Sequence, residues 1–129
     1  MGKKLFLGLC LLTFLFPREA SLGLAPAYLK LGIASWYSES DPGINLTTAN
    51  GEVFDETQFT CATWEFPFQT WLRVTNLANQ RSVVCRVNDR GPSKRLNRLI
   101  DLTKAGFEKI APLRLGLISV KVEIENLLS

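Results

Sequence analysis

The sequence predicts a small, mostly β domain closed into a compact barrel, with one or two short helices. Three observations carry that expectation: short segments alternate apolar and polar residues, turn signals separate them at close spacing, and one stretch has helical periodicity. Residues 31–37 read as a first strand, with Ile33, Ser35 and Tyr37 on one face and Ala34 and Trp36 on the other. A loop then runs through Asp41-Pro42-Gly43 to Thr48-Ala49-Asn50-Gly51, where Asn-Gly marks a tight turn because both residues tolerate positive φ. A short segment at 59–64 and a break at Pro67 precede a strand at 70–76, in which Trp71, Arg73 and Thr75 alternate with Leu72 and Val74. The turn 77–80 leads to a strand at 81–87 with Val83, Cys85 and Val87 on one face. Asn88 to Pro92 reads as a loop from its Asx residues and Gly-Pro break. Beyond an apolar-rich stretch at 96–100, Asp101 is placed as the N-cap of a helix over 102–110, whose Leu102, Gly106, Phe107 and Ile110 share an arc. A last strand at 118–125 turns Ile118, Val120, Val122 and Ile124 inward and the intervening polar residues outward.

The first residues belong to a different category. Lys3 and Lys4 precede an apolar run of about a dozen residues from Leu5 to Phe16, the outline of a secretory signal. The run is too short to span a bilayer as a helix, which takes about 20 apolar residues. Small residues at Ser21/Gly23 and Ala25/Ala27 place cleavage after Gly23 or Ala27, so residues 1–27 are expected to be the signal and 28–129 the domain. Cys10 lies mid-run behind Leu9, where a lipoprotein cleavage site would need a small residue, so lipid anchoring is not expected.

Composition then excludes several kinds of chemistry. The chain has no histidine, which rules out a Ser-His-Asp triad, a Cys-His pair and any histidine-ligated metal. Without the first 27 residues, 12 basic and 11 acidic side chains remain, so the domain is close to neutral. Nucleic acid, whose binding rests on neutralising several phosphates, is not an expected partner. Cys61 and Cys85 are too far apart in sequence for a CxxC metal or redox motif. In an exported protein the pair suggests a disulfide; two buried free thiols are the alternative.

Acid and base work therefore falls to carboxyls. Glu52, Asp55 and Asp89 stand out as loop-proximal. Asp89, between Asn88 and Arg90 at the end of an apolar strand, either presents an acid at a barrel rim or merely caps a turn and pairs with Arg90.

Four segments weigh on that choice: GIASWY (32–37), TANGEVFD (48–55), RVTNLANQRSVVCRVNDRGP (73–92) and LIDLTKAGFEKI (99–110). In this order and spacing they resemble the rare lipoprotein A family, septal lytic transglycosylases built on a six-stranded double-psi β-barrel. The resemblance covers about residues 31–125. It implies an exported, periplasmic enzyme that cleaves peptidoglycan glycan strands endolytically between N-acetylmuramic acid and N-acetylglucosamine, without water and without a cofactor or metal. One carboxylic acid protonates the glycosidic oxygen and, as carboxylate, helps the sugar's own primary hydroxyl close onto the anomeric carbon, leaving a 1,6-anhydro-muramic end. A single acid/base suffices because the nucleophile is intramolecular, unlike the two-carboxyl arrangement of ordinary glycosidases.

On the matching positions, Asp89 takes the acid/base role, with Glu52 and Asp55 as the further carboxyls of the catalytic group. Tyr37, Thr63, Trp64, Asn88 and Arg90 are expected to contact substrate, the aromatics by stacking on sugar faces. The Arg90 guanidinium is expected to point away from Asp89. Asp101 also matches a family position, but its local sequence favours a helix cap. A septal enzyme further implies a division-machinery partner, which nothing in the residues identifies.

The sequence departs from the family pattern in four places. Thr63 stands where the family has a histidine, the 38–47 loop is longer, Gln69 replaces a common glycine, and the chain ends at Ser129 without the glycan-binding repeat domain of longer members. The lost histidine supports an alternative reading: a non-catalytic, expansin-like module that binds or loosens the wall through the same groove.

Overall fold

A computed structural model describes residues 29–127; the expected signal, its cleavage site and Cys10 lie outside them. Six strands, β1 (Leu29–Tyr37), β2 (Thr60–Ala62), β3 (Trp71–Asn76), β4 (Ser82–Asp89), β5 (Ile100–Thr103) and β6 (Ile118–Ile124), close a barrel in the order β1-β5-β2-β4-β3-β6. β1 with β5 and β2 with β4 run parallel, and the other four neighbours antiparallel. Among the described residues no helix is long and apolar enough to cross a membrane.

Alternation fills the interior as the sequence leads one to expect. Leu72, Val74, Val83, Cys85, Val87, Val120 and Val122 are buried and form one cluster with Ala34, Ile100, Leu102, Phe107 and Ile110. Cys61 and Cys85 are joined as a disulfide across the parallel β2–β4 pair, their Cα atoms 5.9 Å apart. Trp36 packs on this core, and its indole N–H donates to the Leu113 carbonyl at 3.1 Å.

One expectation fails. Asp101 caps no helix: residues 100–103 are β5, and the only α-helix among the described residues, α1, is Lys104–Glu108. The Thr103 hydroxyl caps α1, accepting from the Gly106 N–H at 3.2 Å. Ile100 and Leu102 point inward and are fully buried, which leaves Asp101 on the opposite face.

Gly32 is where β1 and the segment entering β5 touch. A Cβ there would lie 2.6 Å from the Leu99 Cβ, an atom too close to its backbone to swing aside. Gly32→Ala is therefore expected to destabilise the barrel by about 1–3 kcal/mol, read as a lower urea midpoint at unchanged m-value. An unchanged midpoint would mean that the two segments part without cost.

Between β1 and β2 the chain makes a long excursion, residues 38–59, over the outside of the barrel. It is pinned by a small hairpin: Thr47 bridges Val53, and Gly51, at φ +94°, makes the turn that only a glycine takes without strain. Phe54 from this excursion stacks on Tyr37, ring centroids 4.5 Å apart, and buries Ala62 with it.

Candidate active site

A lateral row of residues crosses four strands beneath that excursion. Ser35 on β1 is in register with Asp101 on β5, Asp101 with Ala62 on β2, and Ala62 with Asp89 on β4. Register partners project to the same side of a sheet, so two carboxyls and a hydroxyl gather around one small methyl. β4 reaches this arrangement through an irregularity. Cys61 pairs with Val87, but Ala62 pairs with Asp89, so Asn88 is an extra residue that turns Asp89 off the core face occupied by Val83, Cys85 and Val87.

The result is a cleft of about 450 Å³, walled by Tyr37, Ala49, Ala62, Asp89, Ser93 and Asp101. Within it the two aspartates have different partners. Asp89 accepts three hydrogen bonds: from the Ala49 N–H at 2.9 Å and the Arg90 N–H at 2.9 Å on one oxygen, and from the Tyr37 hydroxyl at 3.2 Å on the other. Asp101 accepts from the Ser35 hydroxyl at 3.0 Å. Burial pushes its carboxyl up to about 6; Ser35 and Arg98 oppose the rise, while Asp41 and Asp89 add to it. The Tyr37 hydroxyl is held protonated by burial and then by the charges of Asp89 and Asp101.

Of the carboxyls singled out from sequence, Asp89 alone stands in this cleft. Glu52 is clamped instead by Arg86, through two contacts of 2.7 and 2.9 Å, and by the amides of Asn50 and Asn88. Those partners, Arg86 first, hold its carboxyl well below the usual range, which suits a fixed anion rather than a proton donor. Its place in the hairpin is structural: the Glu52 carbonyl accepts from the Thr48 N–H at 2.8 Å, closing the turn that aims the Ala49 N–H at Asp89. Asp55 is exposed, ties its own turn through Thr57, and lines a separate small cavity beside Glu52 and Arg86. The carboxyl that shares the cleft with Asp89 is Asp101.

The expected substrate contacts divide in the same way. Tyr37 offers the cleft its hydroxyl, its ring being stacked on Phe54. Thr63 is fully buried, its hydroxyl donating to the Leu99 carbonyl at 3.0 Å, so it does not reach the cleft. Asn88 is buried and anchors both Glu52 and the Asn50 N–H. The Arg90 side chain does turn away from Asp89: it donates to the Thr63 and Phe66 carbonyls and lies 3.8 Å over the Phe68 ring. Trp64 is half exposed and faces a neighbouring cavity. Asp101 is the residue sequence reasoning misplaced, although Ile100-Asp101-Leu102-Thr103 does alternate apolar and polar.

Residues 30–122 match the family described as lytic transglycolase. The chain is 44% identical over 99 residues to the endolytic peptidoglycan transglycosylase RlpA of Pseudomonas aeruginosa, covering 77% of this chain and 28% of that protein. It is 44% identical over 94 residues to the Campylobacter jejuni protein of the same name, 72% of this chain and 33% of that one. The chain thus spans about a third or less of these relatives. Among solved structures it resembles a Streptomyces papain inhibitor, with TM-score 0.62 at 22% identity over 81% of this chain and all of that one. It also resembles a Clavibacter michiganensis expansin, with TM-score 0.60 at 17% identity over 79% of this chain and 52% of that one. At such identities these two structures speak for the fold alone. The barrel, its strand order and the match across residues 30–122 place this chain in the lytic transglycolase family, as a rare lipoprotein A-type double-psi β-barrel.

Proposed function

We propose that this domain is an endolytic peptidoglycan lytic transglycosylase working outside the cytoplasm, in the periplasm, on glycan strands and without a cofactor. The observation that carries the mechanism is the pair Asp89 and Asp101, two carboxyls lining one cleft, of which burial raises Asp101 to about 6. A carboxyl raised towards neutral pH is suited to the acid role.

Here Asp101, raised to about 6 by burial, takes the acid role that the family resemblance assigned to Asp89, and donates its proton to the glycosidic oxygen as the bond to the muramic anomeric carbon breaks. Asp89, oriented by its three donors, faces the positive charge developing on the sugar. The muramic primary hydroxyl closes onto the anomeric carbon and gives its proton back to the Asp101 carboxylate. No water is consumed, and the acid is restored. Tyr37 and the 48–52 turn are positioning groups for Asp89. Glu52 acts through that turn, and Asp55 through the hairpin it borders.

The test is product analysis. The domain is incubated with purified peptidoglycan and the fragments are examined by mass spectrometry; fragments with anhydro-muramic ends, 18 Da lighter than hydrolysed ones (about one water), are the expected result. Ends that carry the mass of added water would make it a hydrolase. Strands bound but left intact would favour the expansin-like reading, for which the loss of the family histidine at Thr63 is the supporting observation.

A further inference from the structure

A second cavity of about 520 Å³ opens beside the cleft. The two are divided by one turn of chain: Pro92 and Ser93 line the cleft, Lys94 lines the neighbour, and the Trp64 indole N–H donates to the Pro92 carbonyl at 2.7 Å across the divide. Their charges are opposite. The cleft carries Asp89 and Asp101, while the Arg90 guanidinium is turned away from Asp89 and spent on carbonyls. The neighbour carries Lys94 and Arg98, and its own acid, Glu65, is bound to Lys30 at 2.9 Å. Lys94 stands 4.6 Å over the Trp64 ring; neither it nor Arg98 makes a salt bridge among the described residues, although the charge of Arg98 is also felt by Asp101 across the divide. The 3-10 turn Lys94–Leu96 ends at Asn97 in a left-handed conformation, φ 57°, which sets where the chain delivers Arg98.

A neutral sugar chain offers two cations hydroxyls to bind but no charge to pair with. The muramic residue, however, carries a lactyl ether on the sugar next to the bond to be cut. That substituent ends in a carboxylate when the strand is bare, and in a peptide bearing carboxylates when it is not. We propose that the cavity formed by Trp64, Lys94 and Arg98 is a subsite for a carboxylate on the muramic lactyl substituent, with the Trp64 ring as its floor. The proposal rests on the glycan-strand reading above and adds to it a selection for charge on the substituent.

The experiment uses three short glycan probes of equal length: one with stem peptides, one with free lactyl carboxylates, and one whose lactyl carboxyls are converted to methyl esters. Binding is measured calorimetrically at low and raised salt with the wild type, Lys94→Gln, and Lys94→Gln/Arg98→Gln. Lys94 is exposed and Arg98 half-buried, and thermal melts establish that the variants are folded. The single variant keeps the test available if the double one is not. Expected is binding of at least one carboxylate probe about three- to tenfold tighter than the ester, as two partly exposed ion pairs would give. This preference should shrink in salt and in both variants. Which charged probe leads identifies the source of the carboxylate.

Equal affinity for all three probes, or a preference untouched by the double variant, overturns the subsite. The enzyme reading fails separately. If anhydro ends form from the ester probe at the rate seen with the others, the mechanism stands and the subsite falls. If the charge preference is present but no probe is cut, the subsite stands and the mechanism falls.

Discussion

Asp101→Asn is expected to lower the rate of anhydro-end formation by about 10²- to 10⁴-fold, the range for loss of a positioned acid, while making the barrel more stable at neutral pH. The two effects share one cause. In the folded protein burial raises the Asp101 carboxyl to about 6, against about 3.9 for an unfolded aspartate. A raised carboxyl means that the folded state binds the proton more tightly than the unfolded one. The stability this contributes is complete below about pH 4 and is lost as the pH rises through about 6. At pH 7.5 the wild type holds a half-buried charge that an asparagine does not carry. The variant should gain about 1–2 kcal/mol there, less than the full linkage because the site opens to solvent. Activity of the wild type should fall above about pH 6, close to tenfold per pH unit, as the proton leaves the acid. Asp89→Asn is also expected to be inactive, but without this gain, since it replaces one of the two oxygens that accept from three donors with an amide donor. Product assays across pH 4.5–8 alongside urea titrations check both halves. A wild-type rate that rises steadily to pH 8 would remove Asp101 from the acid role. Full activity in Asp89→Asn would remove Asp89 from the site.

Replacing both cysteines, Cys61→Ala/Cys85→Ala, should cost about 3–4 kcal/mol from chain entropy alone, given a closed loop spanning 24 residues. For a domain of this size that corresponds to about 15–25 °C in melting temperature. The loss falls where it matters, since Cys61 directly precedes Ala62, the residue between Asp89 and Asp101 in the lateral row. Both sulfurs are fully buried, so a cavity contribution adds to the loss. Wild type unfolded and refolded under reductant separates the two, because it keeps the sulfur volume but not the bond. The same midpoint with and without reductant would mean that the thiols serve as packing only.

Most of the barrel was legible because its strands are half-buried surfaces, and alternation writes that into residues such as Leu72/Val74 and Val120/Val122. The missed strand is β5. It is four residues long, its neighbours β1 and β2 lie about 66 and 41 positions back, and its aspartate sits three residues before a glycine-containing helical turn. Local rules therefore read a cap where long-range pairing makes a strand, and this hid the second carboxyl of the cleft. The bulge at Asn88 escaped for a related reason. An extra residue in one strand shows only against its partner, so Asp89 could be placed near a rim but not on a face. Glu52 and Asp55 drew attention as carboxyls in a turn, yet a carboxylate beside arginine and amides is more useful as a brace. Only coordinates reveal Arg86 and Asn88 around Glu52. Gln69 shows the converse. It holds φ 71°, a conformation in which the glycine common in the family is at ease, and its side-chain oxygen accepts from Arg86 at 3.0 Å.

Barrel closure has a consequence for how this chain reaches its native state. β1 is hydrogen-bonded to β5 and β6, so the first strand to be made has no partner until the last two arrive. Pairings this distant along the chain make for slow folding, and an unsatisfied strand edge is a template for association with another chain. A polypeptide stopped short of Ile118 would present both β1 and β3 in that state, and aggregation rather than a smaller barrel is its expected fate.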